Sequence, residues 1–124
     1  MNLVKRNKIT IVGSGYVGMS LAVLLAQKND VKVLDIDPKR VKSINNRKST
    51  IDDTNVQTFL NEKKLSLEAT LDKKDAYLQS DFIIIATPTN YDEETNRFDT
   101  SSVDSVIHDA LNENEEAAII IKST

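Results

Sequence analysis

Apolar positions along this chain fall into short runs that alternate with longer amphipathic stretches. Lys8 to Val12 (KITIV) is a β-branched run of strand length. Tyr16 to Gln27 is rich in Leu and Ala and predicts a helix. Val31 to Asp35 predicts a second strand, and Pro38 to Asn45 a helix with Val41 and Ile44 on one face. The polar NNRKSTIDDTN that follows reads as a loop, and Asp53 or Thr54 can cap a short helix through Val56, Phe59 and Leu60. Leu65 to Ala69 alternates with the period of a strand and is expected at a sheet edge. Asp72 caps a short helix through Ala76, Tyr77 and Leu78. Phe82 to Ala86 is continuously apolar, as in a strand buried on both faces, and Thr87 to Asn90 ends it. YDEETNRFD is expected to be a polar loop. Ser101 with Asp104 resembles a capping box. The helix behind it carries Val103, Val106, Ile107, Ala110 and Leu111 as one stripe. AAIIIKST predicts another buried strand and its exit turn.

Glycine changes this picture most. The chain has three, Gly13, Gly15 and Gly18, all between the first strand and the first helix. Their G-x-G-x-x-G spacing has a physical reading: Gly13 for a tight turn, Gly15 for close approach of a phosphate, Gly18 for close packing of helix on strand. A helix that begins near Gly15 turns unpaired N–H groups and its positive end toward the loop, which suits a pyrophosphate. Asp35 lies about 20 residues beyond the loop, where a carboxylate accepts from ribose hydroxyls and repels a 2′-phosphate. NAD is therefore expected in preference to NADP. Arg40 nearby softens that preference. Asp37 competes for the ribose, but with Pro38 behind it Asp37 reads as an N-cap.

The alternation of strands and helices, with this fingerprint, predicts an α/β fold: a Rossmann-type doubly wound parallel sheet, three-layer α/β/α, strand order 3-2-1-4-5. Ligands bind such sheets outside the carboxyl ends of the strands. That rule picks out the Gly13–Gly18 loop, Asp35, the Thr87–Asn90 turn and Ser123–Thr124.

Composition then excludes other chemistry. The 124 residues make one domain, 1–124, and the net charge of −3 gives no electrostatic case for nucleic acid or an anionic membrane. There is no cysteine, hence no disulfide, no thiol nucleophile and no Cys-based metal site within this stretch. The one histidine, His108, lies off its helix stripe and reads as a surface residue. The Asp52–Asp53 pair reads as a cap and solvated charge rather than a metal site. No apolar run approaches the about 18 residues of a membrane span, so a cytoplasmic location is expected.

The same residues carry a resemblance. GSGYVGMSLAVLLAQ, VLDIDPKRVKSINNRKSTIDD, IIIATPTNYDEETNRFDTSSVDSVI and AAIIIKST resemble the N-terminal NAD-binding domain of the UDP-glucose/GDP-mannose dehydrogenase family, in its shorter bacterial UDP-glucose-oxidising branch. The likeness runs from Lys8 to Thr124. It implies an enzyme that oxidises the C6 hydroxyl of UDP-glucose to a carboxylate in two NAD-dependent steps. It further implies a longer parent, expected as a homodimer, whose catalytic cysteine lies in a later domain. This chain then looks like a truncated N-terminal part that binds NAD without catalysis, with a UDP-sugar as the parent's substrate. Carried over by motif, the cofactor contacts are Val17 in the loop, Asp35, Arg40, Thr89 and Thr124, and the loop residues Gly13, Ser14, Gly15, Tyr16 and Gly18 complete the expected cofactor-binding set. Tyr16 is placed by the sequence either near the pyrophosphate or against the core. Two positions depart from the family pattern, which often has proline at Thr50 and tyrosine at Arg97. Two other readings stand beside this one: a UDP-N-acetylmannosamine or GDP-mannose dehydrogenase domain, and a non-catalytic domain that senses NAD or another adenine nucleotide. A last strand ending after Ile121 is expected to be an exposed edge open to self-association.

Overall fold

A computed structural model describes residues 6–87, 90–92, 97–99 and 101–122, with side chains for 6–87 and 103–122. The elements run β1 (Lys8–Val12), α1 (Tyr16–Leu25), β2 (Asp30–Leu34), α2 (Pro38–Asn45), α3 (Thr54–Glu62) and β3 (Leu67–Thr70). They continue with α4 (Lys73–Tyr77), β4 (Phe82–Ile85), β5 (Asn90–Asp92), β6 (Arg97–Asp99), α5 (Ser101–Glu113) and β7 (Ala118–Ile121).

Five strands form one parallel sheet in the order β3-β2-β1-β4-β7. Counting only the strands of this sheet, that is the expected 3-2-1-4-5. Strand β1 is central, with β2 in register from Lys8↔Asp30 to Val12↔Leu34 and β4 from Ile9↔Phe82 to Val12↔Ile85. Alternate residues of each strand serve opposite faces. Ile9, Ile11, Val31, Val33, Leu67, Ala69 and Ile84 pack with Met19, Ala22, Val23, Ile44, Val56 and Leu60 from α1, α2 and α3. On the other face Val12, Leu34, Ile83 and Ile85 pack with Ala76 and Tyr77 of α4 and Val103 and Ala110 of α5. The result is the three-layer arrangement.

Local chemistry sets the helix starts. Asp37, Asp53 and Asp72 each occupy an N-cap and accept from backbone N–H groups of the first turn of α2, α3 and α4. Pro38 stands at the start of α2, where its missing N–H costs nothing. The first helix ends at Leu25, short of the expected Gln27, because Lys28 and Asn29 both donate to the Leu25 carbonyl and turn the chain. On β1, Thr10 is a buried polar residue whose hydroxyl bonds to the Ala76 carbonyl and the Ser80 hydroxyl. Inside α4's cluster, burial pushes the Tyr77 phenol up to about 12, helped by the charge of Asp109.

Two sequence expectations need correction. The polar segment YDEETNRFD is not all loop: β5 and β6 pair antiparallel, setting Tyr91 opposite Phe98. Strand β7 was expected to be buried, but it is largely exposed, with Ile121 at 54%. It occupies one end of the sheet, and unlike β3 at the other end, whose Leu67 and Ala69 pack with Ile44, Val56 and Leu60, most of its residues are left uncovered. That position is the exposed edge expected from the sequence.

Candidate functional site

The chain leaves β1 at Val12 and turns sharply through the glycine loop into α1. Gly13 has φ +102°, and a Cβ there would lie 3.1 Å from the Ala86 carbonyl oxygen at the exit of β4. The turn therefore excludes a side chain on both conformational and steric grounds. At Gly18 a Cβ would stand 2.1 Å from the Gly13 carbonyl oxygen, so helix and loop touch there without side chains. Around Gly15 the opposite holds: a Cβ would meet nothing within 4 Å.

Gly15 is the N-cap of α1, with no side-chain cap and no acidic residue in the first turn. The aspartate-capped α2, α3 and α4 have their first N–H groups satisfied from within the chain. Helix α1 instead presents its positive end, uncapped, beside open space at the carboxyl end of the central strand. Such an end accepts an anion.

Asp35 follows β2 immediately and lies beside this loop. Its Oδ2 accepts from the Ser14 N–H at 3.1 Å and the Ser14 hydroxyl at 2.5 Å, and its Oδ1 accepts from the Asp37 N–H at 3.0 Å. The half-buried carboxylate is thus fixed in position by its own chain. Of its roughly four acceptor sites, the one to spare is on Oδ1. Asp37, the competing acid, accepts from the Lys39 N–H at 2.9 Å and is the helix cap, as expected. Arg40 reaches back over the loop, its Nη1 at 3.3 Å from both the carbonyl oxygen and the hydroxyl of Ser14.

The expected site residues thus fall into groups. Gly13, Gly15 and Gly18 shape the loop, Asp35 and Arg40 flank it, and Tyr16 and Val17 open the helix. Tyr16 is 61% exposed, which removes the core as its location. Ser14 is buried, and both its donors go to Asp35. Thr89 and Thr124 lie outside the described residues. His108 is on the surface, as expected. Among the described residues no group of three or more His, Cys, Asp or Glu is placed to hold a metal, and no helix is long and apolar enough to cross a membrane.

Two further residues at this end of the sheet, Thr50 and Thr87 of the Thr87–Asn90 turn, have contacts that the sequence does not show. Thr50 donates its hydroxyl to the Ser14 carbonyl at 2.6 Å. Thr87, at the exit of β4, has a buried hydroxyl with no partner among the described residues, and its backbone nitrogen would lie 3.3 Å from a Cβ on Gly13. A contact between distant loops leaves no local pattern, and threonine is common at strand exits.

Known proteins agree with this architecture. Over 117 residues the chain is 55% identical to the UDP-glucose 6-dehydrogenase of Streptococcus pneumoniae, covering 94% of this chain and 30% of that protein. It is 47% identical over 119 residues to the enzyme of the same name from Campylobacter jejuni, with 94% and 30% covered. The structure of a GDP-mannose dehydrogenase from Pseudomonas aeruginosa superimposes with a TM-score of 0.81 at 27% identity, covering 94% of this chain and 28% of that one. The chain thus spans about 30% of the length of the curated relatives it matches. Residues 7–124 match the NAD binding domain of the UDP-glucose/GDP-mannose dehydrogenase family, and the chain belongs to that family.

Proposed function

We propose that this chain is the NAD-binding domain of a UDP-glucose 6-dehydrogenase, a longer protein that converts UDP-glucose and two NAD to UDP-glucuronate and two NADH. The observation that carries the reading is the uncapped start of α1 over Gly15, with the Asp35 carboxylate fixed beside it. The open side of Gly15 and the free helix end suit a pyrophosphate. The spare capacity of Asp35 suits a ribose hydroxyl, and its charge disfavours a 2′-phosphate. Bound there, NAD supplies the hydride acceptor for oxidation of the sugar alcohol.

The chain's own residues bind and orient. Gly13, Gly15, Tyr16, Val17 and Gly18 form the cradle, with Ser14 bracing it through Asp35. Arg40 stands on the rim, where its cation meets phosphate or ribose. Thr89 and Thr124 are assigned to the same carboxyl-end surface by motif. The sequence has no cysteine, so the thiolate that this chemistry uses as nucleophile belongs to another part of the parent. The identity of 55% to a UDP-glucose 6-dehydrogenase supports UDP-glucose over UDP-N-acetylmannosamine or GDP-mannose as the parent's substrate. A cytoplasmic homodimer without membrane or nucleic-acid partners completes the proposal, in keeping with a net charge of −3.

Calorimetric titration with NAD and NADP tests it. NAD is expected to bind in preference to NADP, and Asp35→Ala to weaken NAD by about tenfold or more, as for loss of a charged hydrogen bond. A thermal melt of each sample verifies folding. A folded chain that binds neither dinucleotide overturns the assignment, and an unchanged affinity in the variant removes Asp35 from the ribose.

A further inference from the structure

We propose that Thr50 is a positioning residue for the nucleotide site: its hydroxyl fixes the orientation of the peptide joining Ser14 to Gly15. This inference rests on the reading of the glycine loop as the cofactor cradle.

The geometry is specific. Thr50 lies in the α2–α3 connection, 36 residues from Ser14, and its Oγ1 donates to the Ser14 carbonyl at 2.6 Å. Arg40 Nη1 reaches the same oxygen at 3.3 Å from a side chain that is 44% exposed. Among the described residues these are the two side chains that donate to it. The hydroxyl bond is the shorter, and it comes from a half-buried residue.

A trans peptide is planar, so its C=O and N–H point in opposite directions. A Ser14 carbonyl held toward Thr50 therefore aims the Gly15 N–H away from the α2–α3 connection. Gly15 borders open space at the uncapped start of α1. The bonds from Ser14 to Asp35 involve its N–H and hydroxyl, so they fix the peptide before Ser14 and not the one after it. Glycine at position 15 also tolerates a rotated peptide at little steric cost. Without a hold on its carbonyl, this amide has more than one accessible direction, and a ligand must first select among them.

Thr50 can supply that hold because its own turn is braced. The Ser49 N–H donates to Gln57 Oε1 at 2.9 Å, and the Ser49 hydroxyl donates to the Ile51 carbonyl at 2.7 Å. Gln57 Nε2 donates to the Arg47 carbonyl at 3.1 Å. The turn is thereby tied to α3, and Thr50 transmits that rigidity to the loop.

The test uses Thr50→Val, which keeps the shape and removes the donor, and Thr50→Ser, which keeps the donor. Thr50→Ala repeats the donor loss if valine perturbs packing. Three readouts are taken on each protein: NAD affinity by calorimetry, the amide resonance of Gly15 by NMR, and the melting temperature. Thr50→Val is expected to weaken NAD about fivefold, the worth of one hydrogen bond. It is also expected to shift or broaden the Gly15 amide while the melting temperature changes by only about 3 °C. Thr50→Ser is expected to restore affinity and resonance together. A Thr50→Val protein with native affinity and a native Gly15 amide overturns the inference, as does a loss that Thr50→Ser fails to rescue. If the folded, unsubstituted chain binds no NAD, it is the cofactor reading that fails, and the Gly15 resonance still decides whether Thr50 sets the peptide.

Discussion

Gly15 and Gly18 lie three residues apart in one motif and meet opposite surroundings. A methyl group at Gly18 would stand 2.1 Å from the backbone oxygen of Gly13, whereas one at Gly15 would meet nothing within 4 Å. Gly18 is glycine because the protein leaves no room. Gly15 has room to spare, and nothing in the fold itself requires a glycine there. Its backbone, at φ −80° and ψ −162°, is open to other residues. The difference separates what the loop needs in order to fold from what it holds ready for a ligand.

Three alanine substitutions sharpen that separation, and they are expected to rank. Gly18→Ala drives a methyl into backbone that cannot yield, and is expected to cost about 3 kcal/mol, at the upper end for overpacking, with a fall in Tm of about 10 °C. Gly13→Ala combines a strained φ of +102° with crowding at 3.1 Å against Ala86, and is expected to cost about 2 kcal/mol. Gly15→Ala is expected to cost about 1 kcal/mol or less, the preference of an N-cap for glycine over alanine, with no clash to add to it. Its effect is on affinity: a methyl on the phosphate side is expected to weaken NAD about tenfold. Thermal melts and calorimetry on the three proteins give the ranking. A Gly15→Ala protein as unstable as Gly18→Ala would erase the distinction.

Much of this contrast was legible in the sequence because it is local. The glycine spacing, the β-branched run before it and the acid closing the second strand all lie between Lys8 and Asp35, and each has its own physical cause. The aspartate caps at Asp37, Asp53 and Asp72 were legible for the same reason. What escaped depends on partners far along the chain. Thr50 looks like any loop threonine until the fold sets it against Ser14. The apolar run of β7 reads as buried, yet burial of an end strand depends on what covers its faces: Leu67 and Ala69 of β3 at the other end pack with Ile44, Val56 and Leu60, whereas β7 is largely exposed. The β5–β6 ladder joins two strands of three residues, too short for a period of two to stand out in a polar segment.

The topology also sets an order of events. The central strand gains its second neighbour only when Phe82–Ile85 arrives, and Lys8 bonds to Asp81 at a sequence separation of 73. The wall against which Gly13 turns is Ala86. A nascent chain that has reached only β2 therefore carries the complete glycine fingerprint and its acid but has no cradle. Closing so long a loop is slow, as for parallel sheets in general. Cofactor binding then reports completion of the sheet: NAD captures chains in which β4 has docked and passes over those in which it has not.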